Sequence, residues 1–194
     1  MTELLPLMTY SFVMSSTPGP NNLMLTASGA NFGYRRTIPH ILGIAAGHGP
    51  QIFVCCLGLG TLFVAFPVLH QILHWVGAAY LLYLAWRLAG SAIGRSELSR
   101  PMTFWQALVF QAVNPKSWVK AITVATVFMP PGMPVLPAAA LVSAIAIAIG
   151  MPCVSMWALF GVAIRRLLTD PRRQRVFNAI MGASLVVLAV LLVA

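Results

Sequence analysis

The sequence predicts an all-α integral membrane protein. Of its 194 residues, 59% are hydrophobic and only 8% are charged, and the mean hydropathy is +0.87. Globular domains average about 45–50% apolar and about 25% charged residues, so a soluble domain of this length could not bury so many apolar side chains. Two stretches, 37–86 and 121–164, lack Lys, Arg, Asp and Glu over 50 and 44 residues. This pattern argues against a soluble enzyme, a nucleic-acid-binding protein and a disordered chain.

Hydropathy and turn residues predict six transmembrane helices in a single membrane domain, residues 1–194. A span needs about 20 predominantly apolar residues to cross the hydrocarbon core. The N-terminal MTELLPL carries Glu3 and no basic segment, so we expect no cleaved signal peptide. The predicted spans are 4–31, 38–65, 70–90, 103–129, 135–160 and 176–194.

Lysine and arginine are distributed unevenly over the connections between these spans. Ten of the twelve lie in or beside the segments 32–37, 91–102 and 161–175, and the other two lie within the fourth span. Short cytoplasmic loops carry the excess of Lys and Arg, so these three segments are predicted to be cytoplasmic and both termini to lie outside. A net charge of +9 therefore needs no nucleic-acid partner.

Proline-bearing motifs interrupt the first and fourth spans. TPGPNN begins at Thr17, and NPK begins at Asn114. Proline removes a backbone donor and clashes with the preceding turn, so both helices are predicted to be broken.

The two interruptions lie at corresponding places in two halves of the chain. Pro18 and Pro115 are 97 residues apart, and GAAYLLYLA in the third span can be aligned with GASLVVLAV in the sixth. Residues 1–90 and 103–194, joined by the linker 91–102, would each contain three spans. Consecutive repeats with an odd number of spans insert with opposite orientation, so the sequence predicts an inverted repeat.

Broken backbone is tolerated in hydrocarbon only where protein buries it or water lines it. Paired breaks place half-helix ends near the midplane, where carriers bind their substrates. Prolines also kink membrane helices without binding anything, but the pairing of the two motifs favours a site. The predicted substrate-binding residues are Pro18, Gly19, Pro20, Asn21, Asn114, Pro115 and Lys116.

Lys116 is the strongest single candidate, since a cation near the bilayer centre costs at least about 2.5–3.5 kcal/mol. Its expected partners are an anionic substrate group, carbonyls exposed at the TPGPN break, or the amides of Asn21 and Asn114. A purely structural lysine is the alternative. Lys120 lies one turn further along and is expected to extend outward to the membrane surface.

His48, in the middle of the second span, is a candidate proton relay because histidine titrates near physiological pH. A neutral histidine hydrogen-bonded to a carbonyl is the more common arrangement. The three carboxylates, Glu3, Glu97 and Asp170, all fall at span ends or in loops. Without intramembrane acids or His/Cys clusters, we expect no metal site and no cofactor.

These motifs resemble those of the LysE/RhtB family of amino-acid exporters. The resemblance rests on STPGPN from Ser16, the Gly-rich second span, GAAYLLYLAWRL from Gly77 and NPKSW from Asn114, and it extends over nearly the whole chain. It implies a plasma-membrane efflux carrier for amino acids or related metabolites, not an enzyme, driven by proton exchange and dimeric. The second span differs from relatives that carry an acid there, because this chain has His48 instead.

The working hypothesis is a zwitterion held between the two breaks. Its carboxylate would meet Lys116 and the positive end of a half-helix, and its ammonium would meet unpaired carbonyls and the amide of Asn21 or Asn114. An alternative function is a thiol-disulfide electron carrier that uses Cys55 and Cys153, although neither lies beside a break. A non-transporting assembly subunit is a further alternative, and it would have no need for Lys116.

Overall fold

The computed structural model describes residues 4–59, 65–90, 100–168 and 170–193. Within these ranges the chain forms eight α-helices and no β-strand, so the prediction of an all-α protein is confirmed. The helices of the first half are α1 (Leu4–Ser16), α2 (Pro20–Phe32), α3 (Tyr34–Val54, followed by a π-helical turn at Cys55–Leu59) and α4 (Pro67–Gly90). Those of the second half are α5 (Phe104–Val113), α6 (Pro115–Val127), α7 (Val135–Arg165) and α8 (Pro171–Val193).

Both proline motifs end one helix and begin the next. Between α1 and α2, Gly19 is fully extended (φ −178°, ψ 176°), and Pro20 opens α2. Between α5 and α6, Asn114 is also extended (φ −85°, ψ 108°), and Pro115 opens α6. A residue that precedes proline is sterically excluded from the helical region, and proline suits the first turn of a helix, where no N–H is needed. The predicted breaks in the first and fourth helical segments are therefore present.

Two of the predicted connections are shorter than expected. Gly33, with φ +83°, is the single residue between α2 and α3, so the segment 32–37 is mostly helical. In the segment 161–175, α7 continues to Arg165 and α8 already begins at Pro171. Hydropathy marks only the apolar part of a helix, whereas its ends depend on caps such as Asp170, whose carboxylate accepts from the Arg172 N–H at 2.7 Å. Of the predicted linker 91–102, residues 91–99 lie outside the described residues.

Small residues allow the helices to pack closely. A Cβ on Gly29 of α2 would collide with the Ala158 carbonyl of α7, and a Cβ on Gly161 of α7 would collide with the Thr26 carbonyl of α2. The same relation joins α3 to α5, since a Cβ on Gly43 would meet the Phe104 carbonyl. Glycines at helix contacts let backbones approach in the way that is typical of membrane proteins.

The outer surface of the helices is strongly apolar. Three helical segments, Tyr34–Leu59, Val135–Arg165 and Pro171–Val193, are long and apolar enough to cross a membrane. Large apolar side chains point away from the protein and are 65–71% exposed, among them Leu5, Trp75, Trp86, Trp105 and Leu191. A soluble protein rarely presents so much apolar surface to water, so this surface fits a lipid environment.

Candidate functional site

A cavity of about 60 Å³ lies between the two helix breaks. Its wall is built from α1, α2, α3, α5, α6 and α7, and most of the lining side chains are polar or charged. The lining residues are Met14, Ser15, Gly19, Pro20, Asn21, Asn22, Ile44, His48, Gln111, Asn114, Lys116, Ser117, Lys120 and Val154. Burying polar and charged side chains inside an apolar helical protein costs free energy, so this cavity is the candidate functional site.

Lys116 crosses from one break to the other. It is the second residue of α6, and its Nζ donates to the Thr17 carbonyl at 2.7 Å, the Thr17 Oγ1 at 2.8 Å and the Pro18 carbonyl at 3.1 Å. The end of a helix leaves carbonyls without partners inside the helix, and these form a ready-made cation site. Of the partners expected for Lys116, the carbonyls at the first break are the ones that it contacts in the structure.

Gly19 makes room for this lysine. A Cβ at position 19 would lie 2.8 Å from Lys116 Cδ and 3.2 Å from its Nζ. Because the Gly19 backbone is extended, a conformation open to any residue, the space filled by Lys116 is the reason for glycine here. The glycine and the lysine of the two motifs thus fit together.

Two asparagines and a glutamine complete the wall at the first break. Asn22 donates to the Ser15 carbonyl at 2.9 Å and to the Thr17 carbonyl at 2.8 Å. Asn21 donates to Gln111 Oε1 at 2.9 Å and accepts from Gln111 Nε2 at 3.3 Å. The working hypothesis required unpaired carbonyls to receive the substrate ammonium. The carbonyls of Thr17 and Pro18 are paired instead, because Lys116 and Asn22 donate to them.

The second break is closed by its own cap. The Asn114 side chain accepts from the Lys116 backbone N–H at 3.2 Å, in the usual manner of an N-cap asparagine. Ser117 Oγ donates to Gln111 Oε1 at 2.8 Å, which ties the first turn of α6 back to α5. Gln111 is 1% exposed and bonds to both Asn21 and Ser117, so it is a second link between the two breaks beside Lys116.

His48 lines the same cavity from α3. It is buried, and its Nδ1 lies 3.2 Å from the amide oxygen of Gln51, whose Nε2 donates to the Gln111 carbonyl. This hydrogen bond fits the more common arrangement expected for a buried histidine. The same placement leaves His48 at the cavity wall, where a proton relay would have to be.

The prediction that Lys120 extends outward is wrong. Lys120 is 6% exposed, lines the cavity and donates to Ser15 Oγ of α1 at 2.9 Å. Its distance along α6 from the second break suggested that the lysine stem could reach the surface. Instead, α1 and α7 cover this face of α6, with Gly150 of α7 opposite the ammonium.

The cavity therefore has a positive character. Lys116 and Lys120 contribute two cations, whereas the partial positive charge at the beginnings of α2 and α6 is opposed by the partial negative charge at the ends of α1 and α5. No Asp or Glu stands among the lining residues. Such an arrangement suits the carboxylate of a small solute.

Six of the fourteen residues that line the cavity were predicted from the sequence. Gly19, Pro20, Asn21, Asn114, Lys116 and His48 line the cavity, and the carbonyl of Pro18 contacts Lys116. Pro115 opens α6 without lining the cavity. Sequence reasoning missed Asn22, Gln111 and Lys120 as parts of the wall, and it missed Gln51, which bonds to His48 and to the Gln111 carbonyl behind the wall. The available signal was a polar side chain within an apolar span.

The cysteines offer no support for thiol chemistry. Cys55, Cys56 and Cys153 are all free, and none of them lines the cavity. Cys153 Sγ lies 3.2 Å from the Ile149 carbonyl of its own helix. The alternative of an intramembrane thiol-disulfide carrier is therefore not supported. Within the described ranges, no three His, Cys, Asp or Glu side chains are grouped closely enough to hold a metal ion.

Interrupted helices beside a polar cavity are typical of membrane transporters. Comparison with known families agrees with this assignment: residues 12–194 match the family described as LysE type translocator. The chain belongs to this family.

Curated relatives support the assignment over nearly the full length of the chain. The "Cysteine/O-acetylserine efflux protein" of Escherichia coli (strain K12) is 32% identical over 184 residues, covering 94% of this chain and 93% of the relative. The proteins of the same name from Shigella flexneri and Shigella sonnei (strain Ss046) show the same identity and coverage. No solved structure shows a significant match.

Proposed function

We propose that this protein exports a small amino acid, or a closely related zwitterionic metabolite, across the plasma membrane. The relatives named as cysteine/O-acetylserine efflux proteins, at 32% identity over 94% of the chain, support this function. The observation that carries the proposal is Lys116, which links the two helix breaks across a buried polar cavity. A cation held there serves no evident purpose in a purely structural subunit.

The proposed architecture is six spans in two inverted repeats, residues 1–90 and 103–194, with the linker 91–102 between them. In this scheme α1 with α2 forms the first span, and α5 with α6 forms the fourth. The packing supports the scheme, because α7 packs along both α1 and α2 while α3 packs along both α5 and α6. Two repeats related by a two-fold axis would show this pattern, in which one helix of each repeat packs along the broken span of the other.

The proposed orientation follows from the basic residues. The segments 32–37, 91–102 and 161–175 would face the cytoplasm, with both termini outside. Transport would proceed by alternating access, in which one repeat rocks against the other around the cavity. In the structure the contacts of Lys116 with Thr17 and Pro18 join the two repeats, so this movement would break or rearrange them.

The substrate is proposed to be small and to carry no cationic side chain. The cavity measures about 60 Å³, and no carboxylate lines it, so a positively charged side chain would find no opposite charge. The substrate carboxylate would meet the positive side of the cavity, and its ammonium would meet the amide oxygens of Asn21, Asn114 or Gln111. Proton exchange through His48 is the proposed driving force.

The proposal is tested in cells that overproduce the protein or lack it. Cells are loaded with a mixture of dipeptides, and the released amino acids are measured, with cysteine and O-acetylserine as the first candidates. Overproduction should increase the release of one of them. The substitution Lys116→Met should lower the transport rate at least about tenfold, because three charge-assisted hydrogen bonds are lost.

Arg172→Met is the matched control, since Arg172 is an exposed cation at the start of α8. This variant should export like the wild type. Equal release with and without the protein would refute the transport function. Normal export by Lys116→Met, at equal amounts of protein in the membrane, would remove Lys116 from the mechanism.

A further inference from the structure

The two lysines of α6 differ in how completely their ammonium groups are hydrogen-bonded. An ammonium carries three N–H donors. Lys116 has an acceptor for each of them: the Thr17 carbonyl at 2.7 Å, Thr17 Oγ1 at 2.8 Å and the Pro18 carbonyl at 3.1 Å. Lys116 is therefore saturated in this conformation and has no donor left for a ligand.

Lys120 is in the opposite situation. Its side chain is 6% exposed, and among the described residues the acceptor of its ammonium is Ser15 Oγ at 2.9 Å. Two of its three N–H donors remain without a protein acceptor in that part of the chain. A buried charge with unsatisfied donors is strongly unfavourable, so the cavity must supply a further acceptor.

In the observed arrangement the neighbouring amide side chains of the cavity are hydrogen-bonded to groups other than Lys120. Asn21 and Gln111 bond to each other, and Gln111 Oε1 also accepts from Ser117. The amide oxygen of Gln51 is paired with His48. Gly150 of α7 lies against the Lys120 ammonium without adding an acceptor: a Cβ there would be 3.2 Å from Ser15 Oγ and 3.6 Å from the ammonium nitrogen.

We propose that Lys120 is the receptor for the carboxylate of the transported solute, and that Lys116 is a latch between the two breaks. This inference rests on the proposed transport function and reassigns the carboxylate, which the sequence had directed to Lys116. A carboxylate in the cavity would give Lys120 its missing acceptors and neutralise its charge. The site would then select carboxylic acids over their esters, amides and alcohols, because these lack the negative charge.

Thermal stability of the purified, empty protein separates the two roles. Lys120→Met removes a buried, poorly paired charge and should leave the melting temperature unchanged or raised. Lys116→Met leaves the carbonyl of Pro18 without its donor, weakens the link between the breaks and should lower the melting temperature. The reverse order of stabilities would overturn the assignment of the two lysines.

Carboxylate recognition is measured by competition in proteoliposomes, with L-cysteine and L-cysteine methyl ester as competitors of radiolabelled substrate. The wild type should bind the ester at least about tenfold more weakly than the acid. Lys120→Met should bind both equally and weakly, whereas Lys116→Met should keep the preference for the acid. Retention of the preference by Lys120→Met, or its loss only in Lys116→Met, would overturn the proposal.

A substrate-independent probe distinguishes failure of this inference from failure of the proposed function. Sodium acetate should raise the melting temperature of the wild type more than that of Lys120→Met, and acetamide should raise neither. If cysteine does not compete but acetate still acts through Lys120, the proposed substrate is wrong and the carboxylate site stands. If acetate affects the wild type and Lys120→Met equally, water alone occupies the site and the inference fails.

Discussion

Gln111 uses both ends of its side chain to hold the cavity wall. Its oxygen accepts from Asn21 and Ser117, and its nitrogen donates to Asn21 and to the Ala107 carbonyl one turn earlier in its own helix. A buried amide with all its groups satisfied is rigid, and it fixes the geometry of its partners. The first turns of α2 and α6 are thus linked through Gln111, in addition to the link that Lys116 makes between the two breaks.

His48 is the residue through which proton coupling can be tested. Its Nδ1 bonds to Gln51, and it lines the same cavity as Lys116 and Lys120. Glutamine at position 48 retains a polar side chain that can bond to Gln51 but cannot carry a proton at physiological pH. We expect His48→Gln to keep substrate counterflow in the absence of a gradient and to lose about tenfold or more of the pH-driven export rate.

Two measurements in proteoliposomes check this prediction: counterflow at equal pH, and export driven by an imposed pH difference. His74→Gln is the control, because His74 lies on α4 and does not line the cavity. Equal pH-driven rates for the wild type and both variants would remove His48 from the proton pathway.

The residues of the site differ in how far the sequence could predict them. Lys116 was predictable because it lies deep in an apolar span and directly follows a helix-breaking Asn-Pro. The burial of Lys120 was not, since it depends on Ser15 of α1 and Gly150 of α7, which only the tertiary structure brings to it. Contacts between residues far apart in the chain produce no periodic pattern in the sequence from which they could be predicted.

At the level of helices, the two breaks have a common physical cause. Gly19 and Asn114 both precede proline, which excludes them from helical geometry, and the proline then opens the next helix. These breaks, and the helical character of the segments, were predictable from local rules. The lengths of the connections were not, because α8 begins in the polar sequence PRRQR, where hydropathy carries no signal and the Asp170 cap decides.

The contact between α2 and α7 offers a test at the same scale. A Cβ on Gly161 would collide with the Thr26 carbonyl and approach the Ala30 nitrogen, both backbone atoms that cannot rotate away. Alanine at position 161 should therefore force the helices apart and destabilise the protein by about 1–3 kcal/mol. The expected observation is a melting temperature several degrees below that of the wild type in detergent.

Gly49→Ala is the matched control for this substitution. A Cβ at position 49 would lie 3.4 Å from Ile147 Cγ1, a flexible side-chain atom, and alanine is the better helix former. This variant should melt at or above the wild-type temperature. Identical melting temperatures for the two alanine variants would contradict the close approach of α2 and α7.

Across the whole molecule, few polar contacts cross between the halves at the cavity. Lys116 and Lys120 of α6 donate to Thr17, Pro18 and Ser15. Gln111 of α5 bonds to Asn21 through its side chain and accepts from Gln51 of α3 through its carbonyl. Outside the cavity, Thr26 donates to the Trp157 carbonyl and Asn31 bonds to Asn178, and further contacts are apolar or between small residues. A rocking movement of the repeats would therefore have to break or rearrange these polar links.

The proposed orientation of the whole chain predicts which loops an impermeant reagent can reach. In a variant with Cys55, Cys56 and Cys153 replaced by Ala, single cysteines are introduced by Pro131→Cys, between α6 and α7, or by Arg172→Cys, at the start of α8. The positive-inside rule places the Arg-rich end in the cytoplasm. A membrane-impermeant maleimide should therefore label the cysteine at position 131 in intact cells and the one at 172 only after lysis. If the cysteine at 172 were labelled in intact cells and the one at 131 only after lysis, the proposed orientation would be wrong and the Arg-rich end would lie outside.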